Sequence, residues 1–161
     1  MLDKTGIASL EQVKSRFPKK EFLAKAKAII ECYQDIPCNP CQTSCPFGAI
    51  HIGDDINVQP KLIVEKCTGC GICVTSCPGL AIMLAKIEPS KAVFKIPYEL
   101  LPVPKKNEIW HAINRAGAII GDALIESAIL IPKQDKTVLV TVKTDLNLLY
   151  EFVTIRSKDH E

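Results

Sequence analysis

The segment from Cys67 to Pro78 reads CTGCGICVTSCP and has the residue types and the spacing that bind an iron–sulfur cluster. It follows the pattern C-x2-C-x2-C-x3-C-P, in which the first three cysteines hold one cluster and the fourth holds another. Thiolates are the soft ligands that iron prefers in such clusters. The pattern therefore predicts a second cluster elsewhere in the chain.

A copy of this segment lies 32 residues earlier in the sequence. The shift superimposes three pairs of cysteines, namely Cys38 and Cys70, Cys41 and Cys73, and Cys45 and Cys77. The register fails at one position, because Cys67 falls on Asp35, while an additional cysteine, Cys32, lies three residues before Asp35. An internal repeat of this kind predicts two similar halves related by pseudo-twofold symmetry.

Crossed ligation of two clusters follows from the motif. The second cluster is predicted to be bound by Cys45, Cys67, Cys70 and Cys73. The first cluster is predicted to be bound by Cys38, Cys41 and Cys77 with one further ligand. Ligand softness favours Cys32 for that place, the repeat register favours Asp35, and the lack of both would leave a [3Fe-4S] cluster. We therefore expect two [4Fe-4S] clusters, with an Asp-ligated or three-iron first cluster as the alternatives.

Zinc and disulfides are the competing uses of these cysteines. A zinc ribbon needs paired C-x2-C hooks, but it needs neither a third cysteine at the same x2 spacing nor a Cys-Pro pair after x3. The N-terminal residues lack the apolar core of a signal peptide, and no segment approaches the roughly 18 uninterrupted apolar residues of a membrane span. We therefore expect a cytoplasmic protein with reduced thiols. The net charge of +2 gives no electrostatic reason to expect nucleic-acid binding.

The elements that position the two cysteine loops are predicted from the residues around them. The segment Ser9-Leu10-Glu11-Gln12 fits a capping box that begins a short amphipathic helix, which Pro18 would end. The basic run 19–27 is expected to form a solvated helix face. Pairs of β-branched residues in 28–32 and 60–64 predict strands that lead into the two loops.

The sequence changes in character after Ile87. Prolines concentrated in 88–90 and 96–107 predict a linker or an extended segment laid over a surface. Alternation of apolar residues in 137–143 predicts a strand. The region 108–120 fits either a helix or two strands, and we favour strands joined by a turn at Asn114-Arg115-Ala116-Gly117.

The remaining segments continue an antiparallel pattern. Residues 128–132 and a turn at Gln134-Asp135-Lys136 are predicted to lead into the strand at 137–143. Asp145 is predicted to cap a short helical turn through Tyr150, and residues 152–155 are predicted to close the sheet.

The predicted fold class is α+β: a ferredoxin-like dicluster domain with a pseudo-twofold repeat, followed by a small β-rich C-terminal domain. The predicted domains are an N-terminal helical arm (1–27), a dicluster ferredoxin domain (28–90) and a β-rich docking domain (91–161). A dicluster domain of about 60 residues has a marginal hydrophobic core, so bound metal is expected to contribute to its stability.

The segments from Glu31 to Cys41, from Cys45 to Ile50 and from Cys67 to Cys73 resemble dicluster ferredoxin-like proteins of multisubunit FAD-dependent amine and amino-acid dehydrogenases. That family includes the proline, hydroxyproline, opine and sarcosine-oxidase-like type. Its members typically carry a Glu-Cys pair before Ile-Pro-Cys, as Glu31-Cys32 precedes Ile36-Pro37-Cys38 here. The resemblance favours Cys32 as a ligand and implies flavoprotein dehydrogenase subunits as partners in a hetero-oligomer.

No nucleophile, acid–base pair or nucleotide-binding loop accompanies the cysteines, and the three histidines are scattered along the chain. We therefore predict no catalytic residue in this chain. The expected function is an electron-transfer subunit that relays electrons from a partner FAD-dependent amine or amino-acid dehydrogenase through two clusters. The alternative is a free soluble ferredoxin with an appended β module.

Overall fold

Short helices and antiparallel strands build the chain in a computed structural model that describes residues 2–130, 132 and 136–160. Within these residues the α-helices are α1 (Leu2–Thr5), α2 (Leu10–Arg16), α3 (Pro40–Ser44) and α4 (Ile72–Ser76). The strands are β1 (Lys27–Ile30), β2 (Ile50–His51), β3 (Lys61–Leu62), β4 (Ile82–Ile87), β5 (Lys91–Tyr98), β6 (Ile109–Asn114), β7 (Ile119–Leu130), β8 (Val138–Asp145) and β9 (Phe152–Arg156). Short 3-10 helices cover Lys20–Ala24, Leu146–Leu148 and Lys158–His160.

Helix α2 begins at the predicted capping box. The Gln12 N–H donates to Ser9 Oγ at 3.2 Å, and the Ser9 N–H donates to Gln12 Oε1 at 2.9 Å. Val13 faces inward and is buried. The basic run that follows forms no α-helical face, because residues 20–24 are a 3-10 helix and strand β1 already begins at Lys27. That part of the prediction is wrong.

The 32-residue repeat is present in the structure. Helices α3 and α4 have five residues each and begin 32 residues apart. Strand β1 pairs with β4, and β2 pairs with β3, both antiparallel. The first strand of each half therefore pairs with the second strand of the other half. This exchange interlocks the halves and brings α3 into contact with α4.

One sheet continues from the repeat into the C-terminal half, in the order β1-β4-β5-β8-β7-β6-β9. The prediction of a linker or extended segment at 88–90 and 96–107 is wrong for the residues before 99: residues 88–90 form a tight turn, with the Glu88 N–H donating to Lys91 O at 2.9 Å, and residues 96–98 belong to strand β5. Residues 99–107 do lie in the connection between β5 and β6. Pro97 lies beyond Lys95, the last β5 residue paired with β4, where the strand is an edge on that side and proline is tolerated. The division of the chain at residue 90 stays a prediction.

The β-rich half contains the predicted strands. Strand β8 covers the alternating segment, and strands β6 and β7 are joined by the predicted turn, in which the Gly117 N–H donates to Asn114 O at 3.0 Å. The Asn114 side chain also accepts the N–H groups of Ala116 and Ala118, which fixes the turn. The predicted turn at Gln134-Asp135-Lys136 lies largely outside the described residues.

Two predictions for the C-terminal segment need correction. Asp145 precedes the 3-10 helix Leu146–Leu148, but its side chain makes no capping hydrogen bond and instead accepts one from Lys91 Nζ at 2.6 Å. Among the described residues, strand β9 pairs with β6 alone, so it forms an edge and does not close the sheet. Phe94 of β5 and Phe152 of β9 nevertheless stack with ring centroids 4.5 Å apart. Since three strands separate β5 from β9 in the sheet, this contact shows that the sheet curls strongly.

Candidate iron–sulfur centre

The two cysteine loops share one local structure. The last cysteine of each motif, Cys45 or Cys77, follows the C-terminus of its five-residue helix. Its sulfur accepts a hydrogen bond from the backbone four residues later: Ala49 N–H donates to Cys45 Sγ and Ala81 N–H donates to Cys77 Sγ, both at 3.4 Å. Donors of this kind favour the negatively charged sulfur that a cluster requires.

Four thiols form a first group, consisting of Cys32, Cys38, Cys41 and Cys77. Burial raises the pKa of the Cys41 thiol to about 11, and repulsion from the other three cysteines contributes to the rise. Burial also raises the pKa of Cys32, with contributions from Cys77 and Cys38. Because such repulsion weakens with distance, the four sulfurs are neighbours. Cys77 therefore lies among the cysteines of the other motif.

Four other thiols form a second group, consisting of Cys45, Cys67, Cys70 and Cys73. Burial raises the pKa of the Cys73 thiol to about 12, and the other three members contribute to the rise. All four line a cavity of about 320 Å³, its open mouth included, whose other walls are largely apolar. Cys70 is exposed, whereas Cys73 is buried. Cys45 therefore lies with the second motif, as crossed ligation predicts.

The two groups of thiols fit cuboidal clusters. Each group provides the four cysteines that hold a [4Fe-4S] cluster. Thiols with raised pKa values lose their protons when they bind metal. Among the described residues, no three His, Cys, Asp or Glu side chains lie close enough to hold a single metal ion. The thiolates of a cuboidal cluster stand farther apart, because each one binds a different iron atom.

Cys32 and Asp35 occupy different surroundings. Cys32 is half-buried beside Cys38 and Cys77, and the Gln34 N–H donates to its sulfur, which lowers its pKa against the rise from burial. Asp35 is exposed, and its Oδ1 accepts a hydrogen bond from Gln59 Nε2 at 3.1 Å. The geometry therefore favours Cys32, and it offers no support for an Asp-ligated or three-iron first cluster.

Two side chains that brace the cysteine loops were missed by the sequence analysis. Lys27 is buried, and its Nζ donates to Val64 O at 3.0 Å and to Cys67 O at 2.6 Å. Gln59, 32 residues later, donates from Nε2 to Tyr33 O at 2.8 Å as well as to Asp35. The 32-residue repeat was the one feature of the sequence that could have indicated them, because it makes 27 and 59 equivalent positions.

The β-rich half reaches the first cysteine loop through Arg115. The Arg115 guanidinium pairs with the Glu31 carboxylate, and both side chains are nearly buried, with 12% and 13% exposed. Arg115 Nη1 also donates to Tyr150 O at 2.9 Å. Tyr33 donates to Glu31 Oε2 at 3.4 Å, and burial, followed by the Glu31 charge, raises the pKa of Tyr33 to about 12. The β6–β7 turn therefore helps to fix the chain on both sides of Cys32.

Gly69 provides a test of how tightly the second loop packs. Its φ is +75°, and an added Cβ would lie 2.5 Å from Ala26 O, which is backbone and cannot yield. We expect Gly69→Ala to lower the free energy of unfolding by at least about 1–3 kcal/mol from the left-handed backbone alone. Denaturant unfolding of the iron-loaded protein measures this loss.

Gly79→Ala is the matched control. Gly79 follows the last cysteine of the same motif, and an added Cβ meets nothing within 4 Å. The control is expected to change the free energy of unfolding by no more than about 0.5 kcal/mol. Equal effects of the two substitutions would mean that the loop does not depend on its contact with Ala26.

Comparisons with known proteins agree with the two groups of thiols. Residues 30–86 match the family described as 4Fe-4S dicluster domain, so this segment is a ferredoxin-like dicluster domain. The match covers about a third of the chain and identifies this segment alone. No solved structure matches it significantly.

Two curated proteins illustrate the range of its relatives. One component of the Na⁺-translocating ferredoxin:NAD⁺ oxidoreductase complex of Acetobacterium woodii is 46% identical over 55 residues, which are 34% of this chain and 16% of that protein. The ferredoxin-type protein NapF of Escherichia coli K12 is 42% identical over 52 residues, 31% of this chain and 32% of that protein. The similar segment thus covers a third or less of either relative. Neither name refers to an amine or amino-acid dehydrogenase, so the finer resemblance finds no support in them.

The helices of the described residues are all short. Within the described residues, none combines the length and the apolar character that crossing a bilayer requires.

Proposed function

We propose that this chain binds two [4Fe-4S] clusters through crossed ligands and transfers electrons through them. The first cluster is bound by Cys32, Cys38, Cys41 and Cys77. The second is bound by Cys45, Cys67, Cys70 and Cys73. The observation that carries the proposal is the cavity lined by Cys45, Cys67, Cys70 and Cys73, which brings one cysteine of the first motif to three of the second. Bound clusters supply one-electron redox chemistry.

The helices α3 and α4 hold the two sites at a fixed separation. Cys41 and Cys45 lie at opposite ends of one helical turn and belong to different groups, as do Cys73 and Cys77 at α4. Each helix therefore links the two sites covalently over four residues. Because Cys70 is exposed, the second site reaches the protein surface, where an electron can leave or enter.

We further propose that the chain works as a subunit of an oxidoreductase complex. The β5–β6 loop supports this role, because Leu100 is 69% and Leu101 is 81% exposed. The loop begins where strand β8 starts, since Thr137 Oγ1 donates to Glu99 at 2.6 Å. Two residues on, the Leu139 side chain meets Gly71 of the second cysteine loop. An apolar surface close to an electron-transfer site suits protein docking.

The proposed partner is a flavoprotein. The sequence resemblance implies a flavoprotein that oxidises an amine or an amino acid, and electrons would then pass from its FAD to this chain. A free soluble ferredoxin remains the alternative. The exposed apolar β5–β6 loop of the β-rich half favours a subunit, because a freely diffusing carrier has no use for such a loop.

Anaerobic size-exclusion chromatography of the native protein tests the subunit role. We expect the chain to co-elute with a larger protein that carries bound flavin, detected by its absorbance. The double variant Leu100→Ser/Leu101→Ser is expected to lose co-elution while keeping its iron, and Leu10→Ser, at another exposed leucine on α2, is expected to retain both. A lone monomer would contradict the subunit role, and a partner without flavin would contradict the flavoprotein assignment.

A further inference from the structure

The side chains at positions 27 and 59 brace the two cysteine loops in equivalent ways. Lys27 Nζ binds the carbonyl oxygens of Val64 and Cys67, the latter at 2.6 Å. Gln59 Nε2 binds Tyr33 O and the Asp35 carboxylate at 2.8 and 3.1 Å. Subtracting 32 from residue 67 gives residue 35, so Lys27 and Gln59 bind equivalent residues of the two loops. Lys27 binds the backbone carbonyl of Cys67, and Gln59 binds the carboxylate of Asp35. They differ in charge, however, because lysine is cationic and glutamine is neutral.

The ammonium of Lys27 lies in an environment that strengthens its electrostatic effect. Lys27 is only 8% exposed, and within the described residues its Nζ bonds to carbonyl oxygens and to no carboxylate. Its charge is therefore not neutralised by a direct partner. One-electron reduction adds a negative charge beside Cys67, and a nearby buried cation stabilises that charge more than an exposed one does.

The first loop has a cation as well, but it comes from outside the repeat. Arg16 of helix α2 donates from Nη2 to Gln59 Oε1 at 2.5 Å. Its guanidinium lies 4.9 Å from the centre of the Tyr33 ring. The Arg16 charge also acts on the Cys32 thiol, whose pKa it lowers. Gln59 thus connects helix α2 to the first cysteine loop. At the equivalent position, Lys27 contacts the second cysteine loop directly.

We propose that each cluster has its own cation at the symmetry-related brace, Lys27 for the second cluster and Arg16 through Gln59 for the first, and that each raises the reduction potential of its own cluster only. The inference rests on the proposed binding of two clusters. Asp35 shares Gln59 with Arg16 and opposes part of its charge. The second cluster is therefore expected to have the higher reduction potential of the two.

Potentiometric titration followed by low-temperature EPR tests this inference. Lys27→Gln is expected to move one of the two reduction steps to a lower potential, by at least tenfold in its equilibrium constant, which is about 59 mV for one electron. Lys27→Arg keeps the positive charge, so the equilibrium constant of that reduction step is expected to stay within a few-fold of its value in the unaltered protein. Arg16→Gln is expected to lower the other step instead. Lys20→Gln, which removes an exposed positive charge from the 3-10 helix, serves as the control and should move neither.

The outcomes separate this inference from the proposed function. Iron and sulfide analysis of the unaltered protein decides whether two clusters are bound, independently of any potential. Two bound clusters with no shift in Lys27→Gln, or with equal shifts in Lys27→Gln and Lys27→Arg, would overturn the inference alone. If Lys27→Gln fails to bind its cluster, Arg16→Gln decides: a lowered potential of one step supports the inference, and an unchanged pair of potentials overturns it.

Discussion

Replacing Cys32 with alanine is expected to remove one of two [4Fe-4S] clusters, although Cys32 lies outside the motif that the repeat defines. The thiol is half-buried beside Cys38 and Cys77. Its loss leaves three thiolates at the first site, so one iron has no thiolate ligand and its release gives a three-iron cluster. Spin quantification of the reduced protein by EPR should fall from about two [4Fe-4S] clusters per chain to about one.

Asp35→Ala is the matched substitution on the same loop. Asp35 is exposed and bound to Gln59, so its removal is expected to leave both clusters in place. Loss of a cluster in Asp35→Ala together with its retention in Cys32→Ala would reverse the assignment. A three-iron signal in the unaltered, oxidised protein would contradict Cys32 as a ligand.

Replacing Phe152 with alanine is expected to have the largest effect on stability. Phe152 and Phe94 are fully buried and stacked across the curled sheet, from strands that are not neighbours. Truncation of a buried phenylalanine leaves a cavity and typically costs about 3–5 kcal/mol. The free energy of unfolding, measured by denaturant titration of the iron-loaded protein, should fall by that amount.

Phe47→Ala is the control for that experiment, because it removes the same atoms from a side chain that is 47% exposed. Its cost is expected to be no more than about 1 kcal/mol, since nearly half of the side chain is already in contact with water. A Phe152→Ala variant as stable as Phe47→Ala would mean that the sheet does not curl around a shared core.

The two cysteine loops were predictable because their pattern is encoded in local spacing. The motif from Cys67 to Cys77 fixes a loop and a helical turn, and the copy 32 residues earlier fixes its equivalent. The exchange of Cys45 and Cys77 between groups follows from the same pattern. The choice between Cys32 and Asp35 did not, because spacing and ligand softness pointed to different residues until the neighbours of each were known.

The join between the two halves was not predictable from local composition. Prolines in 88–90 and 96–107 suggested a linker, yet residues 88–98 form a turn and a strand inside one sheet. Pro97 is tolerated because its position within the sheet leaves that part of β5 unpaired on one side. Such tolerance depends on tertiary pairing, which local composition does not contain.

Long-range contacts explain the other missed residues. The Arg115 contact with Glu31 spans 84 positions, and the Lys27 contact with Cys67 spans 40. Neither residue belongs to a motif, and each gains its role only when the sheet brings distant segments together. Equivalent positions in a repeat were the available clue for Lys27 and Gln59, whereas Arg115 lies outside the repeat and had none.

The crossing of ligands is the central claim, and EPR spin quantification of two double variants tests it most directly. Cys45→Ala/Cys70→Ala removes two thiols of one proposed site, so one intact [4Fe-4S] cluster per chain is expected to remain. Cys41→Ala/Cys45→Ala removes two thiols of one motif but one from each proposed site, so no intact cluster is expected. The reverse result, with the intact cluster in Cys41→Ala/Cys45→Ala and none in Cys45→Ala/Cys70→Ala, would contradict crossed ligation.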